Sequence, residues 1–399
     1  MTKSLTNINV LDFSHALSGP FCSMLLAELG AKIIKIEPPH GDHFRPANGG
    51  ATFAVVNRNK RSLCLDLKQP SASIIMDRLI SKCDVILENF TPGTMKRLGY
   101  HYEALKKMKP DIIYASISGF GSTGPYKDLK GYDAVAQAMS GIMAATGEPN
   151  RPPVRVGPSL IDMGTGMYVV IGILDALRTR DLNGEGAQLE FNLLESALSW
   201  MSQSIANFSR TGKVPERTGS ALASFSPYQV FNAHDGQVFI GASTDVFWQK
   251  LCRALEAVEL INDERFSTME KRVSNRKILT KLIENRLKDF SVNSILSKLR
   301  IAEVPCADVL DIEGVVNDPH VKAREVLSYC EDPNLGQILQ TRMPIGDGSL
   351  PDPAPLLGEH NGEILADLGF DEEAIQNFLK TKTVLFLLFF IRFASTLAP

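Results

Sequence analysis

Two short apolar stretches separated by one helix-length segment constrain this chain before anything else is read. Ile8–Phe13 and Ala31–Glu37 have the character of buried strands, and Phe21–Leu29 between them carries helical apolar spacing, closed by Gly30. Strands joined in this way lie parallel, through a right-handed crossover. The pattern recurs: a strand at Ser62–Leu67, a helix from Pro70 to Ser81, then strands at Asp84–Asn89 and Asp111–Ile117. Such alternation predicts an α/β fold, a parallel sheet with helices on both faces. Ligands on these sheets sit beyond the C-terminal ends of the strands. The loops to examine are therefore Ser14–Pro20, Pro38–Lys60, Lys68–Pro70, Asn89–Arg97 and Ser118–Tyr132. Only Gly19 and Gly30 punctuate the first unit, so the glycine fingerprint of dinucleotide-binding sheets is missing, and Glu37 alone is a weak signal for a ribose.

The second half changes style. After an apolar segment, Met163–Leu177, Gly184 and Gly186 lead into a strand, Gln188–Leu193, and a further long helix. Periodicity lapses over Arg210–Ser224, a linker signal. Tyr228–Asn232 and Gln237–Ile240 flank Asp235-Gly236 and predict a hairpin. Helical segments rich in Lys, Arg and Glu run to Leu299, a return segment starts at Asp318, and Gly362–Leu379 reads as a last helix. The expected organisation is a large domain over 1–210, a small α+β domain over 225–317, a return to the large domain over 318–380, and an atypical tail over 381–399. The tail's apolar run, Val384–Ile391, is far shorter than the roughly 20 residues a membrane-spanning helix needs.

The chain has 42 basic and 45 acidic side chains and a net charge of -3, which excludes a broadly basic nucleic-acid surface. Anionic ligands must then meet local clusters of cations. Cys22, Cys64, Cys83, Cys252, Cys306 and Cys330 are scattered without a C-x-x-C pair, against a metal knuckle or disulfide framework and in keeping with a reducing cytoplasm. No metal and no membrane contact are expected.

Asp162 is the most pointed residue. It opens the segment Met163–Leu177 and is followed by Gly164, Thr165 and Gly166, which leave room for another backbone or a bulky ligand. An aspartate near a helix start is ordinarily a cap. Held ionised by the helix dipole, it is also a competent nucleophile toward an activated acyl group.

Several motifs, in register over about residues 5 to 380, resemble the family III CoA-transferases, the CaiB/BaiF group that includes formyl-CoA, carnitine and succinyl-CoA:dicarboxylate CoA-transferases. They are Val10-Leu-Asp-Phe13, Ser18-Gly-Pro20, Leu29-Gly-Ala-Lys32, Lys35-Ile-Glu-Pro-Pro39, Asn59-Lys-Arg-Ser62, Leu65-Asp-Leu-Lys68, Glu88-Asn-Phe-Thr-Pro-Gly93, Gly131-Tyr-Asp133, Asp162-Met163 and Pro355-Leu-Leu-Gly-Glu-His360. The resemblance implies a Rossmann-like large domain, an interlocked homodimer and no permanently bound cofactor. CoA thioesters and a small carboxylic acid would be the substrates. It makes Asp162 the catalytic aspartate, passing through acyl anhydrides and a CoA thioester. It also implies CoA contacts from Leu17 and Ser18 in the first loop and from Leu65, Asp66, Leu67 and Lys68 at the end of the third strand; His15, by its place in the first loop, is a candidate for orienting CoA or its neighbours. Asn89, Phe90, Thr91 and Arg97 would follow the fourth strand, and Lys130, Gly131, Tyr132 and Asp133 would lie beside the thioester. Where formyl-CoA transferase has an arginine this chain has Pro38, which leaves Arg45 for that phosphate.

Lys60 and Arg61 join Lys68, Arg97 and Lys130 as cations for the CoA phosphates. Backbone amides near Gly164 and in the Ile240–Thr244 turn are candidates for the oxyanion site. Arg45, Arg151 and Arg155 are candidates for a second substrate carboxylate, pointing to small dicarboxylic acids. Two other readings stay open. The α-methylacyl-CoA racemases resemble the chain around Asp162 but pair that residue with a histidine where Tyr132 stands here, a poor base at neutral pH. A CoA-binding protein without turnover is the third.

Overall fold

The computed structural model describes residues 3–385. In chain order its first part comprises β1 (Asn9–Asp12), α1 (Ser18–Glu28), β2 (Lys32–Glu37), α2 (Ala51–Val56), β3 (Lys60–Cys64), α3 (Ala72–Lys82), β4 (Val85–Glu88), α4 (Thr94–Leu98), α5 (Tyr102–Met108) and β5 (Ile113–Ser118). There follow α6 (Asp133–Met139), α7 (Ile142–Ala145), α8 (Leu160–Asn183), β6 (Ala187–Asn192), α9 (Leu193–Trp200) and α10 (Ser202–Thr211). Six strands form one sheet in the order β3-β2-β1-β4-β5-β6, every neighbouring pair parallel. This is the mixed α/β architecture with a parallel sheet that the alternation predicts.

Successive strand residues point to opposite faces, so the sheet feeds two cores. Val10, Ile33, Val85, Leu87 and Ile113 pack under α1 and α8. Leu11, Ile36, Leu63 and Ile86 pack on the other face under α3 and α5. The chain divides into two compact units: one built from residues up to Gly141, Val156–Ala206 and from Arg324 onward, the other from Ile142–Arg155 and Asn207–Ala323. The second unit holds β7 (Tyr228–Asn232) and β8 (Gln237–Gly241), paired antiparallel across the Asp235-Gly236 turn. It continues through α11 (Asp245–Ala254), α12 (Met269–Ser274), α13 (Arg276–Leu287), α14 (Val292–Ile301), β9 (Cys306–Asp308), α15 (Ile312–Asn317) and α16 (Pro319–Ala323), around a core that includes Phe231, Trp248, Leu279 and Leu299. The return to the first unit brings a hairpin, β10 (Leu327–Asp332) and β11 (Gly336–Thr341), then α17 (Asn361–Asp367) and α18 (Glu372–Lys380).

Three details differ from the sequence reading. Helix α1 starts at Ser18, not Phe21, because Pro20 fits a helical first turn, where its missing N–H has no partner to lose. Strand β3 begins at Lys60 and ends at Cys64, so Lys60 and Arg61 lie at the end of the strand opposite the ligand-binding edge. The last helix is two, broken at Gly369, whose φ of +79° suits glycine. Helix α8 is long and apolar enough to cross a membrane by length and composition, yet its buried face packs against α1 and the sheet. Of the apolar run Val384–Ile391, Val384 is buried and bridges Leu65, and Leu385 is described; the remainder lies outside the described residues.

Candidate active site

The sheet's winding reverses between β1 and β4, and the carboxyl ends of these two strands open the crevice where such folds take ligands. Asn89, just past β4, ties the two ends together: its Oδ1 accepts the His15 N–H at 2.8 Å and its Nδ2 donates to the His15 carbonyl at 2.7 Å. Phe90 packs on the His15 ring, centroids 5.5 Å apart. Leu17 caps α1 without a side-chain hydrogen bond, and the Ser18 and Gly19 N–H groups have no acceptor among the described residues. The positive end of α1 therefore faces the crevice. A Cβ on Gly19 would lie 2.2 Å from Ser14 Cβ, so only glycine lets α1 begin this close to β1.

Beneath the crevice lies a layer of buried charge. Lys60 Nζ is 3.1 Å from Asp12 Oδ2 and also donates to the Pro20 carbonyl and Asn57 Oδ1. Burial works against the Asp12 carboxylate, but Lys60, Lys35 and the Ser14 and Ser23 hydroxyls outweigh it and hold its pKa at about 2. Lys35 Nζ pairs with Asp42 Oδ2 at 3.0 Å, and Arg45 grips Glu37 through two bonds, at 2.8 and 2.6 Å. Burial raises Glu37 and Asp42; Arg45 and Lys35 act against it on Glu37, His15 and Lys35 on Asp42, and both end below the usual carboxylate range. The signal for this layer was in the sequence. Asp12, Lys35 and Glu37 interrupt strands otherwise apolar, and a charge buried in a strand demands a partner.

Asp162 is the third residue of α8. It does not cap that helix. Asp133, at the start of α6, does so from outside, its Oδ2 accepting the N–H groups of Ile161 at 2.7 Å and Asp162 at 3.2 Å. Gln137 supports the arrangement, donating to Asp133 Oδ1 and accepting the Val156 N–H at 2.9 Å. The Asp162 carboxylate itself has no hydrogen bond or ion pair among the described residues. Burial, with the Asp133 charge in second place, pushes its pKa up to about 7. The helix dipole invoked from the sequence does not hold this pKa down, since burial and the Asp133 charge raise it and Asp133 already takes the N–H groups of Ile161 and Asp162. The small residues that follow do accept neighbours. The missing Cβ of Gly166 would lie 2.8 Å from the Ser18 carbonyl, and that of Gly164 would strike the Trp200 ring. Asp162 therefore stands one helical turn from the contact of α8 with Ser18, beside the Tyr132–Asp133 segment.

The profile of CoA-transferase family III matches residues 5–361. The chain is 35% identical to succinyl-CoA–D-citramalate CoA-transferase of Chloroflexus aurantiacus, covering 92% of this chain and 94% of that one. It is 35% identical to human succinyl-CoA:glutarate CoA-transferase, covering 96% and 90%. The chain belongs to CoA-transferase family III. A solved CaiB/BaiF family protein from Brucella suis superposes with a TM-score of 0.84 at 35% identity, over 92% of this chain and all of its own.

The enzyme is a transferase whose substrates are thioesters of CoA, so its cations matter. Lys68, Arg97 and Lys130 are exposed and carry no ion pair among the described residues; the Arg97 guanidinium donates only to Thr94 Oγ1 among them, at 2.7 Å, and Thr91 lies exposed in the same loop. Lys60 and Arg61 are corrected: Lys60 is fully buried on Asp12, and Arg61 pairs with Asp367 at 2.8 Å. Arg45 is bound to Glu37, to the Pro355 carbonyl and over the Phe53 ring, which leaves its guanidinium little to offer a phosphate. Leu65 is a core residue, while Asp66 Oδ1 accepts the Lys68 N–H and the Asp66 N–H donates to the Thr383 carbonyl; Leu67 is half-buried on the core. Gly131 lies against Gly119, where a Cβ would meet Cα at 2.6 Å, and Tyr132 is 67% exposed. Several of the amides proposed for an oxyanion are occupied: the Gly241 and Ala242 N–H groups donate to the Pro305 and Pro227 carbonyls, and those of Leu160 and Met163 to the Pro158 and Ser159 carbonyls. A cavity of about 550 Å³ lined by Arg61, Asp332, Asp352 and His360 opens at the amino end of β3, away from this edge.

Proposed function

We propose that this family III enzyme moves CoA from a thioester donor to a small dicarboxylic acid by covalent catalysis at Asp162. The observation that carries the reading is a partly buried carboxylate with no protein partner, raised to about 7 at the crevice edge. A pKa there leaves a substantial ionised fraction at neutral pH, and a carboxylate more basic than usual, as a nucleophile requires. Asp162 attacks the donor carbonyl, the C–S bond breaks, and CoA thiolate leaves a mixed anhydride. The thiolate then attacks the aspartyl carbonyl, the anhydride C–O bond breaks, and the donor acid departs from an aspartyl-CoA thioester. The acceptor carboxylate runs the two steps in reverse. Each step exchanges one anion for another, so the activated bond persists without ATP.

His15, Leu17, Ser18, Asn89, Phe90 and Thr91 form the cradle at the switch point, and Lys68, Arg97 and Lys130 meet the phosphates, with Leu65–Leu67 shaping the outer edge. Gly131–Asp133 hold the thioester end, Asp133 by fixing the start of α8. Arg45 serves this edge by bracing its loop on Glu37. Citramalate and glutarate, named for two relatives, are both dicarboxylates, which supports an acceptor of that class. We also read the protein as an interlocked homodimer whose large domain is the Rossmann-like one. Support comes from the exposed apolar residues Met167, Ile171, Leu198, Trp200 and Ile205 on α8, α9 and α10, which a second copy would cover. The six cysteines, all free, support a cytoplasmic setting.

Mixing the enzyme with succinyl-CoA should add CoA to the peptide carrying Asp162, and hydroxylamine should remove it. Asp162→Ala should lose exchange of labelled succinate into succinyl-CoA by at least roughly 10⁴-fold. Undiminished exchange in that variant, or α-carbon deuterium wash-in without exchange, overturns the reading.

A further inference from the structure

The crevice rests on a residue that the chemistry above does not use. Asp42 is buried, and its two oxygens face different ways. Oδ2 meets Lys35, whose Nζ also donates to the Ser14 carbonyl at 2.8 Å. Oδ1 accepts the N–H groups of Phe44 at 2.9 Å and Ala16 at 3.3 Å. Ala16 has φ +64°, a left-handed conformation that costs a non-glycine residue energy and persists only where its surroundings enforce it. The same Oδ1 lies 3.7 Å from His15 Nδ1, about 1 Å beyond a hydrogen bond. His15 Nδ1 is buried with no hydrogen-bond partner, and no side chain among the described residues reaches Nε2.

Asp42, His15 and the exposed His43 bring three ligand atoms within 4.8 Å of one another, an arrangement that invites a cation. The donor set does not suit one. Asp42 Oδ1 already accepts two amides, Oδ2 faces an ammonium, and a second positive charge would meet Lys35 in a buried layer.

We propose that Asp42 is a positioning residue for CoA, acting through His15. With Nδ1 facing a carboxylate, the proton belongs on Nδ1, since a lone pair there would face negative charge. Protonating the remaining nitrogen then makes Nε2 a donor toward an anionic oxygen at the crevice. The same carboxylate pins Ala16, so the imidazole and the free amides of Ser18 and Gly19 converge on one diphosphate. The inference rests on reading this edge as the CoA cradle, but not on the chemistry of Asp162.

Desulfo-CoA, which lacks the thiol and cannot react, is the probe, so the outcome is independent of what Asp162 does. Calorimetry on the full chain should show Asp42→Asn binding it about tenfold more weakly. The double variant Asp42→Asn/His15→Ala should bind no more weakly than His15→Ala alone, because residues acting as one unit are not additive. Unchanged affinity in Asp42→Asn, or losses that add in full, overturn the proposal. ¹⁵N NMR of the unaltered protein above pH 8 reads the tautomer even if Asp42→Asn fails to fold. Nδ1–H at His15 supports the proposal, and Nε2–H sinks it.

Discussion

Carboxylates withdrawn from solvent in the first unit shift in opposite directions according to what they face. Under β1 to β3, Asp12, Asp42 and Glu37 each face a cation, and all three lie below the usual carboxylate range. At the start of α8, Asp162 faces another carboxylate and no cation, and its pKa rises to about 7. Burial opposes the charged form at every one of these positions, so the partner decides the sign. Glu88 refines the contrast. It too rises to about 7 by burial, but the Phe90 N–H and the Tyr114 hydroxyl occupy its oxygens at 2.7 and 3.1 Å. A raised carboxyl becomes a nucleophile only when its oxygens are left open.

The largest way to break the comparison is to remove a cation from the lower layer. Lys60→Met leaves Asp12 buried and unpaired, and should destabilise the fold by about 3–5 kcal/mol. Denaturant midpoints check it. The loss should shrink as pH falls toward the acid range, where Asp12 in the variant takes up a proton. A variant as stable as the parent at neutral pH would show that the layer is wet and its charges screened.

Removing the charge of Asp162 should do the reverse. Its folded pKa of about 7 stands above the unfolded value near 3.8, so the folded state retains a proton that the unfolded state releases. Stability is therefore lost as pH rises from about 4 to about 7, and stays lost above. Asp162→Asn should recover roughly 2 kcal/mol above pH 7, after allowance for solvent reaching the half-open carboxylate, and nothing near pH 4. Melting temperatures of parent and variant at the two pH values check it. Equal melting temperatures at pH 8 would place Asp162 with the satisfied carboxylates.

The sheet was legible because its apolar runs have lengths and punctuation that admit one reading: β1, β2 and β4 fall inside the stretches proposed for them, and β5 runs only one residue past its own, to Ser118. Asp162 was legible as a residue, since glycines at 164 and 166 mark a crowded helix start. Its electrostatics were not, because the capping partner Asp133 lies 29 positions away and only the fold brings them together. The misplacement of Lys60 has a related cause. The loop after β2 leaves the ligand edge at Pro38 but has to reach the amino end of the parallel strand β3, so its last residues lie at the opposite end of the sheet whichever residue starts the strand.

The finest test separates the two causes of the raised carboxyl. Asn at position 133 keeps an oxygen for the Ile161 and Asp162 amides but removes the negative charge. In Asp133→Asn the acidic limb of kcat/KM, expected near pH 7 in the parent, should move down toward the ordinary carboxylate range, because the second contribution to the shift is gone. It should not reach that range, since burial, the larger contribution, remains. A limb that stays in place would assign the whole effect to burial, or to Glu88, and the parallel profile of Glu88→Gln distinguishes these: it moves the limb only if Glu88 is the group observed.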